Sequence, residues 1–250
     1  MDSKKDFSYY RVAGALVNSA RMNAFVFDMD GVLADNSDFH VQSWTEYSRQ
    51  YGRELSVDDI KRRLGFNNRE YMRFVLGREP TEAEVIKSTV EKEALYREIY
   101  RQHLVVPPGL IALLDAAKHA GIVCGVATSA PEENVRFVLD GLNIRHYFKE
   151  IVDSSHVKHC KPDPEIYVLA AKRLGVAPAQ CVVFEDAIAG VQAGNAAGMR
   201  VIAITTSYPA PVLAEHSPAA IIASFTDLAQ PCPAAALIEA VTGRRLAITI

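Results

Sequence analysis

Short apolar runs alternate with segments of helical character along most of this chain, and that alternation restricts its fold more than any other feature. Ala24-Phe25-Val26-Phe27 ends in Asp28, and further runs occur at 122–127, 150–152, 181–184, 201–204 and 220–223. They are too short for core helices and rich in β-branched and aromatic residues, which marks them as buried strands. Between them, 110–120, 132–142 and 187–197 read as helices, the last ended by Gly198. Asp163-Pro164-Glu165 opens another helix, because Asp caps, Pro fits the first turn and Glu favours the positive end. Apolar strands that alternate with helices imply an α/β fold, a parallel sheet covered on both faces.

One long stretch breaks the rhythm. Residues 36–104 are helical and polar, with Ile86, Val90, Tyr100 and Leu104 near one helical face, and Pro107-Pro108-Gly109 closes the segment. The expected organisation is therefore an α/β core of residues 22–35 and 106–230, interrupted by a helical insertion of residues 36–105. Residues 1–21 form an extension, and Pro231-Cys232-Pro233 sets off a tail of residues 231–250. The extension has Lys4, Lys5 and Arg11 before a six-residue apolar run, with Asp2 and Asp6 among them. That run falls short of the roughly 7–15 apolar residues of a secretory leader. No apolar run nears the roughly 18 residues of a membrane span. The expected location is the cytoplasm, with no membrane partner.

Composition excludes other classes. The 250 residues carry 27 Lys and Arg against 30 Asp and Glu, a formal charge of −3, so no basic stripe for nucleic acid is present. Hydrophobic residues at 49% and charged residues at 23% are ordinary for a globular protein. A chain of this length buries roughly 70–75% of its unfolded surface and needs no disulfide staples. The four cysteines form no CxxC pair, and Cys124 and Cys181 sit in apolar runs as buried thiols.

In an open parallel sheet, ligands bind beyond the carboxyl ends of the strands. Those ends carry Asp28-Met29-Asp30-Gly31, then Thr128-Ser129, then Lys161-Pro162 in the loop after the third strand, then Glu185-Asp186. Four acids, a hydroxyl pair and one lysine thus converge on one rim. Thr128-Ser129 before Pro131-Glu132 also fits a helix cap. Close carboxylates repel, so a bland structural origin for four of them is improbable.

Phe27-Asp28-Met29-Asp30-Gly31-Val32-Leu33, Thr128-Ser129, Lys161-Pro162-Asp163-Pro164 and Glu185-Asp186, in that order, resemble the haloacid dehalogenase (HAD) superfamily. The helical insertion is similar to the cap of its β-phosphoglucomutase-like branch. The resemblance implies a Rossmann-like HAD core with a cap inserted after the first strand. It also implies a phosphohydrolase that works through an aspartyl-phosphate. In that reading Asp28 is the nucleophile and Asp30 the acid/base, with Gly31 allowing the sharp turn between them and the cap. Thr128, Ser129 and Lys161 bind the phosphoryl group. Magnesium (Mg2+) takes the Asp28 carboxylate, the Asp30 backbone carbonyl and Asp186, with Glu185 bound directly or through water.

The resemblance places the substrate reader on the cap, at His40 and the loop Leu64-Gly65-Phe66-Asn67-Asn68-Arg69, where Asn67, Asn68 and Arg69 are candidates. Asp35 and Asn36 stand where core gives way to cap. In the mutases this loop resembles Lys-Gly-x-Ser-Arg, and a Lys-Asn pair comes after the Ser motif. Here Leu64 holds the lysine position, Asn68 the arginine position, and Pro131-Glu132 the place of the pair. A mutase needs cap cations for a second phosphate, so the expected activity is a phosphatase for a small phosphorylated metabolite, a sugar phosphate in particular. β-Phosphoglucomutase activity is the alternative, and a catalytically silent binding module is the alternative of another class. A dehalogenase needs neither Asp30 nor a metal, and a dinucleotide fold needs a glycine fingerprint that Asp-Met-Asp-Gly does not supply. The expected assembly is a monomer or a weak homodimer.

Overall fold

The computed structural model describes residues 24–63 and 66–230, together with 232, 235, 236, 238, 239, 246 and 248. The expected extension of residues 1–21, most of the tail, and Leu64 and Gly65 of the cap loop lie outside the described residues. Six strands form one sheet: β1 (Ala24–Phe27), β2 (Val123–Ala127), β3 (Phe148–Val152), β4 (Cys181–Glu185), β5 (Arg200–Ile204) and β6 (Ala220–Ile222). All neighbours pair in parallel, in the order β3-β2-β1-β4-β5-β6. The helices are α1 (Ser37–Ser48), α2 (Val57–Lys61), α3 (Asn68–Leu76), α4 (Glu82–Tyr100), α5 (Leu110–His119), α6 (Glu132–Gly141), α7 (Glu165–Leu174), α8 (Ile188–Ala196) and α9 (Ala210–Ala214).

The two-residue strand period divides the core. Phe25 and Phe27 join Phe184, Leu110, Leu113 and Val138 on the face covered by α5 and α6. Ala24 and Val26 join Val183, Tyr167, Ala170 and Val191 on the face covered by α7 and α8. Phe27 stacks on Phe184 at 4.8 Å, and each such buried ring stabilises the fold by about 1.5–3 kcal/mol. This packing fixes the register of β1 against β4, with Phe27 opposite Phe184, and so brings Asp28 and Glu185 side by side at the strand ends.

The helices α1 to α4 stand between β1 and β2 and have a core of their own, built from Val41, Trp44, Tyr47, Ile60, Tyr71, Met72 and Val75. Trp44 stacks on Tyr71 at 4.4 Å. A capping box of Thr81 and Glu84 opens α4. The residues that spacing groups near one face of this helix do not share one environment, for Tyr100 is buried and Ile86 and Val90 are not. Ile86 and Val90 are 57% and 62% exposed, and the inward face is Ser88, Lys92, Glu93, Tyr96 and Tyr100. Hydrophobicity misleads there because the inward charges pair with each other, and the tyrosine rings supply the apolar contact.

Other differences are small. β3 begins at Phe148, two residues before the expected run, because Phe148 packs edge-on to Phe27 at 5.8 Å. Asp163 accepts the Glu165 N–H at 2.9 Å at the start of α7, with Pro164 between them at the cap position. Gly198 lies just past α8 with φ +75°. Cys124 and Cys181 are buried free thiols, and burial pushes both up to about 12. Among the described residues, no helix is long and apolar enough to cross a membrane.

Candidate active site

The strand order places β1 between β2 and β4, so the chain leaves β1 toward one side of the sheet and returns on the other. Such a reversal opens a crevice at the carboxyl ends. Asp28 comes directly after β1, and its N–H donates to the Phe184 carbonyl at 3.0 Å, which seats it beside Glu185-Asp186. Thr128 comes directly after β2 and donates its N–H to the Val152 carbonyl at 2.9 Å. Lys161, from the segment between β3 and α7, reaches the same point with 1% exposure.

The Lys161 ammonium donates to Asp28 Oδ1 at 2.7 Å, to Glu185 Oε1 at 2.6 Å and to the Ala127 carbonyl at 3.3 Å. Glu185 is fully engaged. Its Oε1 also accepts from the Tyr167 hydroxyl at 2.8 Å, and its Oε2 accepts the N–H groups of Asp186 and Ala187, both at 2.9 Å. Glu185 therefore holds Lys161 and the β4 turn in place, and Asp28 and Asp186 face the opening. Ser207 donates to Asp186 Oδ2 and lies 2.7 Å from the Ser37 hydroxyl of α1.

Ligand oxygens of Asp28, Glu185 and Asp186 all lie within 4.8 Å of one another and all three residues are buried. Burial foremost, with Glu185 and Asp30 adding like charge, pushes Asp28 up to about 8, while Lys161 pulls it back. Asp186 is raised for the same reasons, burial first and then Glu185 and Asp28. Burial disfavours the Lys161 ammonium, but Asp28 and Glu185 outweigh it and raise its pKa. An all-oxygen, carboxylate-rich set with uncompensated negative charge fits a hard divalent cation such as Mg2+.

Asp30 has other neighbours. Asn36 donates to its Oδ1 at 2.6 Å and accepts the Gly31 N–H at 3.0 Å, and the Asn36 amide also reaches the Tyr96 hydroxyl at 2.6 Å. His40 stacks on Tyr96 at 3.9 Å and points Nε2 to within 3.4 Å of Asp30 Oδ1. Burial raises the Asp30 pKa, but His40, Asn36 and Lys92 overcome it and hold the carboxyl below its usual value. Two acids two residues apart are thus driven in opposite directions.

The Thr128 hydroxyl accepts the Ala130 N–H at 3.1 Å, and α6 has Pro131 at its N-cap position with no side-chain cap. The Thr128 hydroxyl therefore shapes the turn at the chamber wall, and neither hydroxyl caps α6. Ser129 lines the same chamber. Of the cap candidates, His40 and Asn68 line this chamber, beside Trp44, Phe66 and Tyr71. Asn67 instead caps α3 by accepting the Glu70 N–H at 3.1 Å. Arg69 is bound by Glu82 and lies 3.5 Å from Glu79. Asn67 and Arg69 line an outer groove with Lys158 and His159.

Sequence reading missed Lys92, Glu93 and Asn134, which also line the chamber. Lys92 and Glu93 are adjacent charges on a polar helix and read as solvated. The available signal was Lys92, Tyr96 and Tyr100 at four-residue spacing, which places the ammonium on the inward aromatic face.

The chain has relatives among known proteins. A family model described as "haloacid dehalogenase-like hydrolase" matches residues 22–198. The chain belongs to that family. It is 34% identical over 183 residues to "Phosphorylated carbohydrates phosphatase" of Thermotoga maritima, covering 71% of this chain and 82% of that one. It is 35% identical over 184 residues to "Fructose-1-phosphate phosphatase YqaB" of Escherichia coli, covering 72% and 94%. Its fold is similar to the structure of β-phosphoglucomutase from Clostridium difficile, with TM-score 0.74 and 27% identity, covering 83% of this chain and 93% of that one. The HAD-like core with its cap after the first strand is therefore the architecture of this hydrolase, as its motifs implied.

Proposed function

We propose that this HAD-like hydrolase is a magnesium-dependent phosphomonoesterase that removes phosphate from a small phosphorylated metabolite, a sugar phosphate in particular, through an aspartyl-phosphate on Asp28. The observation that carries the reading is the buried convergence of Asp28, Lys161, Glu185 and Asp186, with Asp30 two residues from the nucleophile.

Asp28, Asp186 and the Asp30 carbonyl would hold the metal, which when bound neutralises charge and orients the phosphoryl group. The chain's own residues do the rest. The Asp28 carboxylate attacks phosphorus while the ester oxygen departs. Lys161 offsets charge on the transferring group, and Thr128 and Ser129 offer it hydrogen bonds. Asp30 starts ionised. The phosphate dianion adds like charge beside it and favours its protonated form, which then gives the leaving oxygen its proton. Asp30 next takes a proton from water, the water oxygen bonds to phosphorus, and the Asp28 carboxylate is released.

Hydrolysis is favoured over phosphoryl shuttling by the state of the cations. Arg69 is already paired with Glu79 and Glu82. Among the described residues that line the chamber, Lys92 is the sole Lys or Arg, and it is paired with Glu93. Neither is free to hold a second phosphate. The relatives named as carbohydrate-phosphate phosphatases support the same substrate class. The test is phosphate release across sugar monophosphates, run beside conversion of β-glucose 1-phosphate to glucose 6-phosphate. Release is expected to dominate and to vanish in Asp28→Asn. Isomerisation that outpaces release, or release that survives in the variant, overturns the reading.

A further inference from the structure

Besides the residues assigned to hold the phosphoryl group, the chamber holds a second buried charge pair. Lys92 and Glu93 are 1% and 2% exposed, among the least solvated charges of the described residues. The Lys92 ammonium lies 3.1 Å from Glu93 Oε1 and 3.0 Å from His40 Nδ1, and 4.8 Å above the Trp44 ring. Glu93 Oε2 accepts from the Asn134 amide at 2.6 Å, and Asn134 in turn accepts from Arg97 at 2.7 Å through its Oδ1. Asn134 belongs to the core helix α6 and is fully buried, so the pair is held from both sides of the chamber. A buried ammonium facing a phosphate-ester site would by itself attract a second anion. Here its counter-charge is built in beside it and locked by an amide.

From this arrangement, and resting on the phosphomonoesterase reading, we propose that Glu93 is a specificity residue. By neutralising Lys92 it makes the cap side of the chamber accept an uncharged, hydroxylated carbon chain. A phosphate ester whose far end carries a carboxylate or a second phosphate is disfavoured. The rest of that wall agrees. Trp44, Tyr71 and Asn68 line it with two aromatic side chains and an amide and add no further charge, a lining that suits the C–H groups and hydroxyls of a polyol or sugar. The two groups respond differently to burial: it outweighs Glu93 at Lys92 and lowers the ammonium's pKa, whereas Lys92, His40 and Asn134 overcome it at Glu93 and hold that carboxyl below its usual range.

The proposal is tested with matched esters that share the reaction and differ in charge at the far end: glucitol 6-phosphate against 6-phosphogluconate, and fructose 1-phosphate against fructose 1,6-bisphosphate. The measured quantity is the ratio of kcat/KM, neutral over anionic, in the presence of Mg2+. Any effect of a substitution on Asp30 or His40 acts on both esters and leaves the ratio unchanged. The wild type is expected to favour the neutral member by about tenfold or more. Glu93→Gln keeps the Asn134 contact, uncovers Lys92, and is expected to lower the ratio by about tenfold. Lys92→Gln leaves Glu93 uncompensated and is expected to raise it. Opposite shifts in the two variants arise only from charge. A merely structural role would leave both ratios at the wild-type value, and that result, or a wild type that does not discriminate, overturns the proposal. If Glu93→Gln fails to fold, the direction of the Lys92→Gln shift still decides. If the wild type releases phosphate from no ester, the phosphomonoesterase reading fails instead. The same ratios read as Kd by calorimetry then decide the specificity claim.

Discussion

The Lys161 ammonium lies 2.7 Å from Asp28 Oδ1 although 133 positions separate the two residues, and both are buried. This ammonium stands among the Asp28, Glu185 and Asp186 carboxylates. Its removal leaves them with no ion-paired cation among the described residues, and breaking a buried ion pair from one side costs about 3–5 kcal/mol. Lys161→Gln is therefore expected to lower the urea midpoint of the metal-free protein markedly and to reduce turnover by at least about a hundredfold. Added Mg2+ is expected to restore part of the stability. An unchanged midpoint in EDTA means the lysine does not hold the carboxylates together.

The same crowding gives the metal-free protein a characteristic pH dependence. Asp28 has an ordinary pKa of 3.8 when unfolded and one near 8 in the folded state. Between those values the folded state holds a proton that the unfolded state has released. The contribution of Asp28 is thus fully present below pH 3.8 and is lost as pH rises through about 8. Other groups titrate too, so the test is a difference. In EDTA, wild-type stability relative to Asp28→Asn is expected to fall steadily from about pH 4 to about pH 8, by urea titration at each pH. Identical slopes in the two proteins refute this.

Asp30 responds in the opposite sense. Asn36 helps hold it ionised through a 2.6 Å hydrogen bond. Asn36→Ala removes that donor, so the Asp30 pKa rises and the base form is lost at a higher pH. The acidic limb of the kcat profile, set by loss of the Asp30 base form, is expected to move to higher pH. A hydrogen bond to a charged group is worth about 1.5–3 kcal/mol, which sets a shift on the order of one pH unit. A profile scaled down uniformly, with no displacement of the acidic limb, means Asn36 acts on structure alone.

How much of this was legible in the sequence depends on which force placed each residue. Asp28, Thr128, Lys161 and Glu185 lie at or beyond strand ends, and the two-residue period of buried strands together with the strand order brings them to one rim. Local pattern therefore reached the core of the site. The cap was not reached in the same way. Arg69 looked like the available cation, but Glu79 and Glu82, on the segment after α3, bind it. Lys92 looked solvated, but Tyr96 and Trp44 enclose it and Glu93 pairs with it. Ile86 and Val90, grouped with Tyr100 by spacing, face outward. On a helix, hydrophobicity marks the inward face only when the core behind it is apolar, and the core behind α4 is a polar chamber. Glu185 was expected near the metal, and two of its four bonded donors, Tyr167 and Lys161, were invisible because they lie 18 and 24 positions away.

Gly190 provides the last test, because it leaves the space that Glu185 occupies. A Cβ at Gly190, in α8, would stand 1.6 Å from Glu185 Oε1, the oxygen that accepts from both Lys161 and Tyr167. The helix itself tolerates alanine better than glycine by about 1 kcal/mol. Propensity therefore predicts that Gly190→Ala stabilises, and packing predicts the reverse. Packing wins by magnitude. Relieving the overlap requires Glu185 to leave its position, which strands Lys161 and two backbone N–H groups in a buried site at about 1–3 kcal/mol for each unsatisfied polar group. Gly190→Ala is expected to destabilise the fold by several kcal/mol in urea and to lose turnover, whereas alanine at the exposed Gln192 on the same helix should cost little. A stabilised and active Gly190→Ala protein requires that Glu185 can move without cost, and then its hold on Lys161 is not what keeps the site in place.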